Sequence, residues 1–264
     1  MKTRVVSAVI AIMIFIPFIL LGGAYFTFAM AVLGLLAMIE IADIKKINFF
    51  SLTGIISSIS LLAILIPHQY TAGLAQYINN KYLFYMSCLF LLVLTVFKSD
   101  EFNFDDAAVL VLGAIYIGYG FHFLILIRDM GIDTLMYQFL VIWATDSGAY
   151  LIGKRLGKNK LAPTVSPNKT VEGLAGGLLL ASLVGGLYNY LIRPNLGDIH
   201  HVWMLTIAMS LFGQLGDLVE SAFKRHYGVK DSGRFLPGHG GVLDRFDSSI
   251  FTSFLLMIWM NLFR

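Results

Sequence analysis

The chain has 264 residues, of which 58% are hydrophobic and only 13% are charged. Ordinary soluble domains have about 45–50% apolar and about 25% charged residues, so this composition excludes a soluble globular enzyme, a disordered chain and a coiled coil. The single cysteine excludes an internal disulfide framework and a cysteine-rich metal site. Most of the protein must therefore lie in a bilayer.

Nine apolar stretches approach the length of about 20 residues that a membrane-spanning helix needs. In chain order they are 5–21, 23–39, 49–67, 82–97, 107–127, 135–153, 171–192, 201–220 and 246–263. The sequence therefore predicts an all-α polytopic membrane protein with about nine spans. The basic start before the first stretch is also typical of a signal peptide, but no clear cleavage site follows, so we interpret this stretch as a span.

The basic residues predict the orientation, because cytosolic loops carry an excess of Lys and Arg. With the N-terminus in the cytosol, 15 of the 19 Lys and Arg residues lie on the cytosolic side. The exceptions are Lys81, Arg128, Arg193 and Arg264. This asymmetry predicts a cytosolic N-terminus and an external C-terminus.

Polar residues divide the chain into two predicted regions. Residues 1–135, with spans one to five, have few polar groups within the spans and are interpreted as a scaffold and as the lipid-facing or dimer region. Residues 136–264, with spans six to nine, contain acidic groups inside apolar stretches and the two basic loops 153–173 and 221–247. The chemistry is therefore predicted in the second region, on the cytosolic side.

Acidic residues interrupt two apolar stretches of the second region. Asp146 lies within the sixth span, where an Asp costs about 2.5–3.5 kcal/mol unless it faces protein, water or a metal. Asp217 and Glu220 lie near the end of the eighth span, and with Ser221 and Lys224 they form one polar stripe on a helix. Adjacent carboxylates repel each other, so a divalent cation or neighbouring cations must neutralise them.

Other residues in the spans have structural interpretations. Glu40, at the end of the second span, is interpreted as a solvated charge. Gly213 and Gly216, just before the acidic pair of the eighth span, predict the close approach of another helix.

The 153–173 loop carries five Lys or Arg residues and one acid. Ser166 and Pro167 have the residue types of an N-cap and a first helical position, so they predict that a helix begins there. Its first turn would consist of Asn168, Lys169 and Thr170. Free N–H groups, the helix dipole and a Lys side chain would together favour an anion. A plain positive-inside loop is the alternative interpretation.

The 221–247 loop is rich in groups that bind phosphate. Its cations are Lys224, Arg225, Lys230, Arg234 and Arg245. Gly238, Gly240 and Gly241 allow close backbone approach and positive φ angles. Asp244 and Asp247 are three residues apart, on one side of a helix if the ninth helix begins here, and carboxylate oxygens suit Mg²⁺.

The 221–247 segment resembles the signature of the phosphatidate cytidylyltransferases, the CDP-diacylglycerol synthases, of the bacterial type. The matching positions are Ser221, Phe223-Lys224-Arg225, Lys230-Asp231, Gly233, Leu236-Pro237, His239-Gly240-Gly241-Val242 and Asp244-Arg245-Phe246-Asp247. The resemblance extends to Asp146 with the Ser-Gly-Ala-Tyr that follows it, to the run from Ser166 to Thr170 and to the run from Gln214 to Asp217.

The resemblance implies a reaction in which CTP and phosphatidate give CDP-diacylglycerol and pyrophosphate, for phospholipid biosynthesis. It also implies Mg²⁺ dependence and a homodimer in the inner membrane, with the active site facing the cytosol. Aspartates that match Asp217 and Asp244 hold the metal in that family, and our interpretation adds Asp247 and Glu220. A second, monovalent cation such as K⁺ is left open.

Roles follow from this resemblance together with the charges. The residues expected to be catalytic are Asp217, Asp244, Lys169, Lys224, Lys230 and Asp146. The residues expected to bind substrate are Asn168, Thr170, Ser221, Arg225, Arg234, Gly238, His239, Gly240, Gly241 and Arg245. His239 is interpreted as a donor that shapes the loop, because a phosphate nucleophile needs no general base.

Two other functions stay open on the sequence. A CTP-dependent kinase of a polyprenol-type lipid would share a nucleotide site, although the complete 221–247 signature argues against it. A transporter of an anionic solute would also use buried carboxylates and cations. However, its site would lie near the midplane, whereas these charges cluster on one side. Nucleic acid is not an expected partner, because the basic loops are short and lie against a membrane.

Overall fold

The computed structural model describes residues 2–75, 79–194, 196–233 and 240–263. The described part consists mainly of helices, together with one small antiparallel hairpin. The helices are α1 (Lys2–Leu21), α2 (Gly23–Ile44), α3 (Leu52–Leu65), α4 (His68–Ala75), α5 (Asn80–Phe97), α6 (Phe104–Met130), α7 (Ile132–Leu156), α8 (Val171–Ile192), α9 (Ile199–His226) and α10 (Leu243–Phe263). The strands are β1 (Lys160–Ala162) and β2 (Ser166–Thr170).

The all-α polytopic membrane fold predicted from the sequence is confirmed. Among the described residues, six helices are long and apolar enough to cross a membrane, namely α2, α5, α6, α8, α9 and α10. The apolar helical segments Ile10–Leu21 and Leu52–Leu65 are shorter. Each of the nine predicted stretches coincides with a helix, and the number of helices that cross the bilayer stays a prediction. The short helix α4 was not predicted.

Local sequence signals explain several helix boundaries. Ser51 caps α3, and its side chain accepts a hydrogen bond from Gly54 N. Asn79 caps α5 through a bond from Lys81 N. Gly22 separates α1 from α2 with a φ of 64°, a left-handed conformation that glycine adopts without steric cost.

Packing divides the chain into two compact units, which differ from the predicted regions. The first unit extends to Leu126 and also includes Asp231–Asp244. Its core contains fully buried side chains such as Met38, Leu61 and Phe121. The second unit consists of Ile127–Lys230 and Arg245–Arg264. The predicted division at residue 135 concerns chemistry rather than packing and stays a prediction.

Helix α7 packs along α8 in the second unit through small residues. A Cβ atom at Gly148 would meet the Gly176 carbonyl oxygen, and one at Gly176 would meet the side chain of Ile152. Small residues allow helix backbones to approach closely in membranes, where dispersion and interhelical hydrogen bonds drive association. A polar pair joins α7 to α9 instead, with Thr145 Oγ1 and Ser210 Oγ 2.9 Å apart.

The predicted helix start at Ser166 is wrong. Ser166–Thr170 forms strand β2, which pairs antiparallel with β1, and α8 begins at Val171. Thr170 is the N-cap, and its Oγ1 accepts a hydrogen bond from Gly173 N at 3.1 Å. Ser166 and Thr170 both have cap-forming side chains. Pro167 fits near the beginning of a short strand as well as at a first helical position, so the local pattern suited both structures.

Candidate active site

Three aspartates come together in the second unit, each on a different helix. Asp146 is on α7, Asp217 on α9 and Asp247 on α10. The negative charge of Asp146 interacts with that of Asp217, and Asp247 is repelled by both. Lys169, Lys224 and Arg245 place positive charge around them. The predicted meeting of carboxylates and cations is therefore present within this unit.

Lys169 connects the basic hairpin to the acidic helix. Its Nζ lies 2.7 Å from Asp217 Oδ2 and donates to the Gln214 carbonyl oxygen at 3.4 Å. The other oxygen of Asp217, Oδ1, accepts a bond from Ser221 Oγ at 3.3 Å. The side chain of Asp217 remains 36% exposed, so this carboxylate lies at a surface that a ligand can reach.

Glycine brings α9 and α10 close together at this point. A Cβ atom at Gly216 would lie 2.6 Å from the Asp247 carbonyl oxygen and 3.0 Å from the Phe251 ring. A Cβ atom at Gly213 would lie 3.4 Å from its nearest neighbour, Thr252 Cγ2, which is an ordinary van der Waals distance. The sequence prediction of a close helix approach is confirmed.

The polar stripe of α9 is confirmed as well. Ser221 bonds Asp217, and further along α9 Lys224 Nζ donates to Glu220 Oε2 at 2.9 Å. Both side chains are almost completely buried, so each charge neutralises the other away from water. The predicted phosphate role of Lys224 and the predicted metal role of Glu220 stay predictions.

The anion site was predicted at the first turn of a helix beginning at Ser166, and this geometry is wrong. Residues 166–170 are a strand, and the cap of α8 is satisfied by Thr170 itself. Asn168 is exposed and Thr170 is buried. Lys169 still faces the acidic helix, because it extends from the strand to Asp217.

The remaining predicted cations of the second unit are at the surface. Arg225, Lys230 and Arg245 are exposed. Arg225 Nη1 donates to the Val229 carbonyl oxygen at 2.8 Å. Arg234, Gly238 and His239 lie outside the described residues.

Asp244 has a different environment, in the first unit. Its Oδ2 accepts hydrogen bonds from Ser232 N at 2.9 Å, from Gly241 N at 2.8 Å and from Ser232 Oγ at 3.1 Å. Gly240 has a φ of 80°, which confirms the positive φ predicted among these glycines. Asp244 lies in the first turn of α10, so the predicted helix start is also confirmed.

The interpretation of Glu40 as a solvated charge is wrong. Its carboxylate is buried in the first unit and accepts bonds from Val242 N at 2.6 Å, Leu243 N at 3.0 Å and Ser232 Oγ at 2.8 Å. Its partners are about 200 positions away in the chain, so no local pattern indicates them. The available signal was an acid within an apolar helix, the same signal that identified Asp146.

The donor chemistry of the second unit suits a hard cation. Asp146, Asp217 and Asp247 offer carboxylate oxygens, which Mg²⁺ prefers, and their mutual repulsion would be relieved by a divalent charge. Among the described residues, no group of three or more His, Cys, Asp or Glu side chains is already arranged to hold a metal. The metal roles of Asp217, Asp244, Asp247 and Glu220 therefore stay predictions.

Comparison with known proteins assigns the chain to a family. The model of the cytidylyltransferase family matches residues 2–263. The chain belongs to this family. A phosphatidate cytidylyltransferase of Staphylococcus aureus (strain COL) is 46% identical over 261 residues, which cover 98% of each chain. Enzymes with the same name from Staphylococcus haemolyticus and Staphylococcus epidermidis are 44% and 45% identical, again over 98% of each chain. The chain is therefore a membrane-bound nucleotidyltransferase.

Proposed function

We propose that the protein transfers the CMP moiety of CTP to phosphatidate and so forms CDP-diacylglycerol and pyrophosphate. The observation that carries the proposal is the similarity to phosphatidate cytidylyltransferases over 98% of the chain. The second unit supports it, because cations and carboxylates meet there at one surface. That combination suits a reaction between two phosphate groups.

The chemistry needs positioning more than acid–base catalysis. A phosphate oxygen of phosphatidate attacks the α-phosphorus of CTP, a new P–O bond forms, and the bond to the leaving pyrophosphate breaks. The nucleophile is already ionised at neutral pH, because the second pKa of a phosphate monoester is about 6. The protein must therefore hold two anions in line and neutralise their charge.

Lysines and arginines of the second unit supply that positive charge. Lys169 lies beside Asp217 at the hairpin, where its ammonium is oriented before substrate binds. Lys230, Arg225 and Arg245 are exposed and would bind phosphate oxygens of CTP and of the departing pyrophosphate. Arg supplies forked donors and Lys a point charge.

Mg²⁺, when bound, supplies additional positive charge at the phosphate oxygens of CTP. Asp217 and Asp247 would hold it, and Asp146 would support them as a neighbouring negative charge. The family resemblance also implies a metal role for Asp244. The task of Lys169 at this site would be to orient the Asp217 carboxylate through its bond to Oδ2.

Orientation and assembly are part of the same proposal. The basic hairpin and the 221–247 segment would face the cytosol, where CTP is available, and the enzyme would lie in the inner membrane as a homodimer. The Lys and Arg asymmetry supports this orientation. The lipid tails of phosphatidate would remain in the bilayer while its headgroup reaches the site.

The test uses purified protein in detergent with phosphatidate, CTP and Mg²⁺. The expected lipid product has the mass of CDP-diacylglycerol, and one pyrophosphate appears for each lipid converted. A polyprenol offered in place of phosphatidate should give no product. Phosphorylated polyprenol together with CDP would instead establish the lipid kinase and refute the proposal.

A further inference from the structure

Glu40 is a buried carboxylate that accepts three hydrogen bonds. Its side chain, near the end of α2, is 4% exposed. Oε1 accepts from Val242 N at 2.6 Å, and Oε2 accepts from Leu243 N at 3.0 Å and from Ser232 Oγ at 2.8 Å. Two of these donors are backbone groups at the start of α10, where N–H groups lack intrahelical partners.

Backbone packs directly against this carboxylate from two sides. A Cβ atom at Gly233 would lie 2.7 Å from Glu40 Oε1, and one at Gly241 would meet Glu40 Oε2 and Ser232 Oγ. A side chain at either position would have to displace the carboxylate. The absence of a side chain at these two positions therefore makes room for the Glu40 carboxylate.

One of these donors, Ser232 Oγ, also contacts Asp244, which two neighbouring backbone amides bond as well. Ser232 Oγ contacts both carboxylates, at 2.8 Å from Glu40 Oε2 and 3.1 Å from Asp244 Oδ2. Gly241 N donates to Asp244 at 2.8 Å, and the next amide along the chain, Val242 N, donates to Glu40. Glu40 thus fixes the groups that in turn fix Asp244.

We infer that Glu40 is a positioning residue for Asp244. It ties Ser232 to the backbone of Val242 and Leu243, and so sets the direction of the Asp244 carboxylate at the first turn of α10. This inference rests on the proposed function, in which Asp244 takes part in cytidylyl transfer. Glu40 itself contacts neither substrate.

Glutamine is the informative substitution because it keeps the shape of the side chain. Val242 N bonds one oxygen of Glu40, while Leu243 N and Ser232 Oγ bond the other. In either orientation the amide NH₂ of a glutamine would face a backbone N–H that needs an acceptor. A buried donor then remains unsatisfied, and the segment must shift.

The experiment compares Glu40→Gln with Asp43→Asn, which removes an exposed carboxylate from the same helix. Hydrogen exchange of the amides of Val242 and Leu243 is measured by mass spectrometry, alongside kcat and KM for CTP and phosphatidate. We expect Glu40→Gln to accelerate exchange of both amides and to lower kcat on the order of 10- to 100-fold. KM should change less than about twofold, since Glu40 does not bind substrate. Asp43→Asn should change none of these quantities.

Each contrary outcome is distinct. A Glu40→Gln enzyme with normal kcat overturns the inference even if exchange accelerates, because the segment then moves without consequence. Unprotected Val242 and Leu243 amides in the wild-type enzyme also overturn it. A wild-type enzyme that forms no CDP-diacylglycerol refutes the proposed function instead, while the exchange data still test the contacts of Glu40.

A second variant decides the matter if Glu40→Gln fails to fold. Ser232→Ala removes the hydroxyl that contacts both carboxylates but leaves every backbone bond in place. We expect kcat to fall several-fold in a variant that still folds. Where Glu40→Gln does fold, its effect and that of Ser232→Ala should not add in the double variant, because they act through one network. An unchanged kcat in Ser232→Ala would overturn the inference.

Discussion

Lys169 and Asp217 form an ion pair, with Lys169 Nζ 2.7 Å from Asp217 Oδ2, between the hairpin strand β2 and the helix α9. The two residues are 48 positions apart in the sequence: Lys169 belongs to the basic 153–173 loop and Asp217 to the polar stripe of the eighth predicted span. The pair is partly exposed, with 22% of the Lys169 side chain and 36% of the Asp217 side chain accessible. It therefore contributes more to the arrangement of the site than to stability.

Asp217→Asn should separate activity from stability. An exposed or half-exposed ion pair stabilises a protein by about 0–1 kcal/mol, whereas loss of a preorganised charge at a reacting centre costs on the order of 10²–10³ in kcat. We expect that loss of kcat with a Tm within about 2–4 °C of the wild-type value. Lys169→Met should show the same loss of kcat with a similarly small change in Tm. Near-normal turnover in Asp217→Asn would remove this residue from the active site.

Gly216 and Gly213 offer a matched pair of substitutions on α9. A Cβ atom at position 216 would lie 2.6 Å from the Asp247 carbonyl oxygen, but at 213 its nearest neighbour would be 3.4 Å away. Gly216→Ala must push α10 away, at a cost of about 1–3 kcal/mol. Thermal unfolding in detergent should show a lower Tm for Gly216→Ala and little change for Gly213→Ala. Equal effects would mean that α10 does not pack here as described.

Thr170→Ala tests the corrected start of α8. The substitution removes the side chain that caps Gly173 N, and loss of such a cap costs about 1 kcal/mol. Tm should fall by about 2–4 °C. Thr164→Ala, at an exposed position in the turn of the same hairpin, should leave Tm unchanged. If helix α8 instead began at Ser166, then Ser166→Ala would be the destabilising change and Thr170→Ala would be neutral.

Orientation can be read from cysteine labelling in a Cys88→Ser background. Lys158 and Arg193 are both exposed, and the charge asymmetry places Lys158 in the cytosol and Arg193 outside. A membrane-impermeant maleimide added to intact cells should label Arg193→Cys. It should label Lys158→Cys only after the membrane is permeabilised. The reverse pattern would invert the topology and place the site on the wrong side for CTP.

Metal removal tests the proposed role of the carboxylates. Chelation by EDTA should abolish turnover, and added Mg²⁺ should restore it. Asp247→Asn should raise the Mg²⁺ concentration needed for half-maximal activity, because one oxygen ligand loses its charge. The control Asp43→Asn should keep the wild-type requirement. Full activity in EDTA would exclude a required divalent ion.

Sequence patterns predicted best what local periodicity determines. The α9 stripe from Asp217 to Lys224 follows from helical spacing alone, and the structure confirms it with the Ser221–Asp217 and Lys224–Glu220 bonds. The carboxylate of Asp146, in another apolar stretch, interacts with the charges of Asp217, Lys169 and Arg245, while its predicted catalytic role stays a prediction.

Two features depended on tertiary context and were not predictable in this way. The hairpin replaced a predicted helix start because Ser166 and Thr170 are equally suitable caps, and only pairing with β1 decides between them. Glu40 was misinterpreted because its partners Ser232, Val242 and Leu243 lie about 200 positions later in the chain. Neither feature leaves a periodic signal in the sequence.

The most direct test of cytidylyl transfer follows the label of CTP into the lipid. Purified protein receives phosphatidate, Mg²⁺ and CTP labelled at either the α- or the γ-phosphate, and the lipid phase is extracted and counted. Transfer of the CMP moiety predicts lipid label from α-labelled CTP and none from γ-labelled CTP. Lipid label from the γ-position alone would contradict the account and establish a kinase, and label from neither position would exclude both activities.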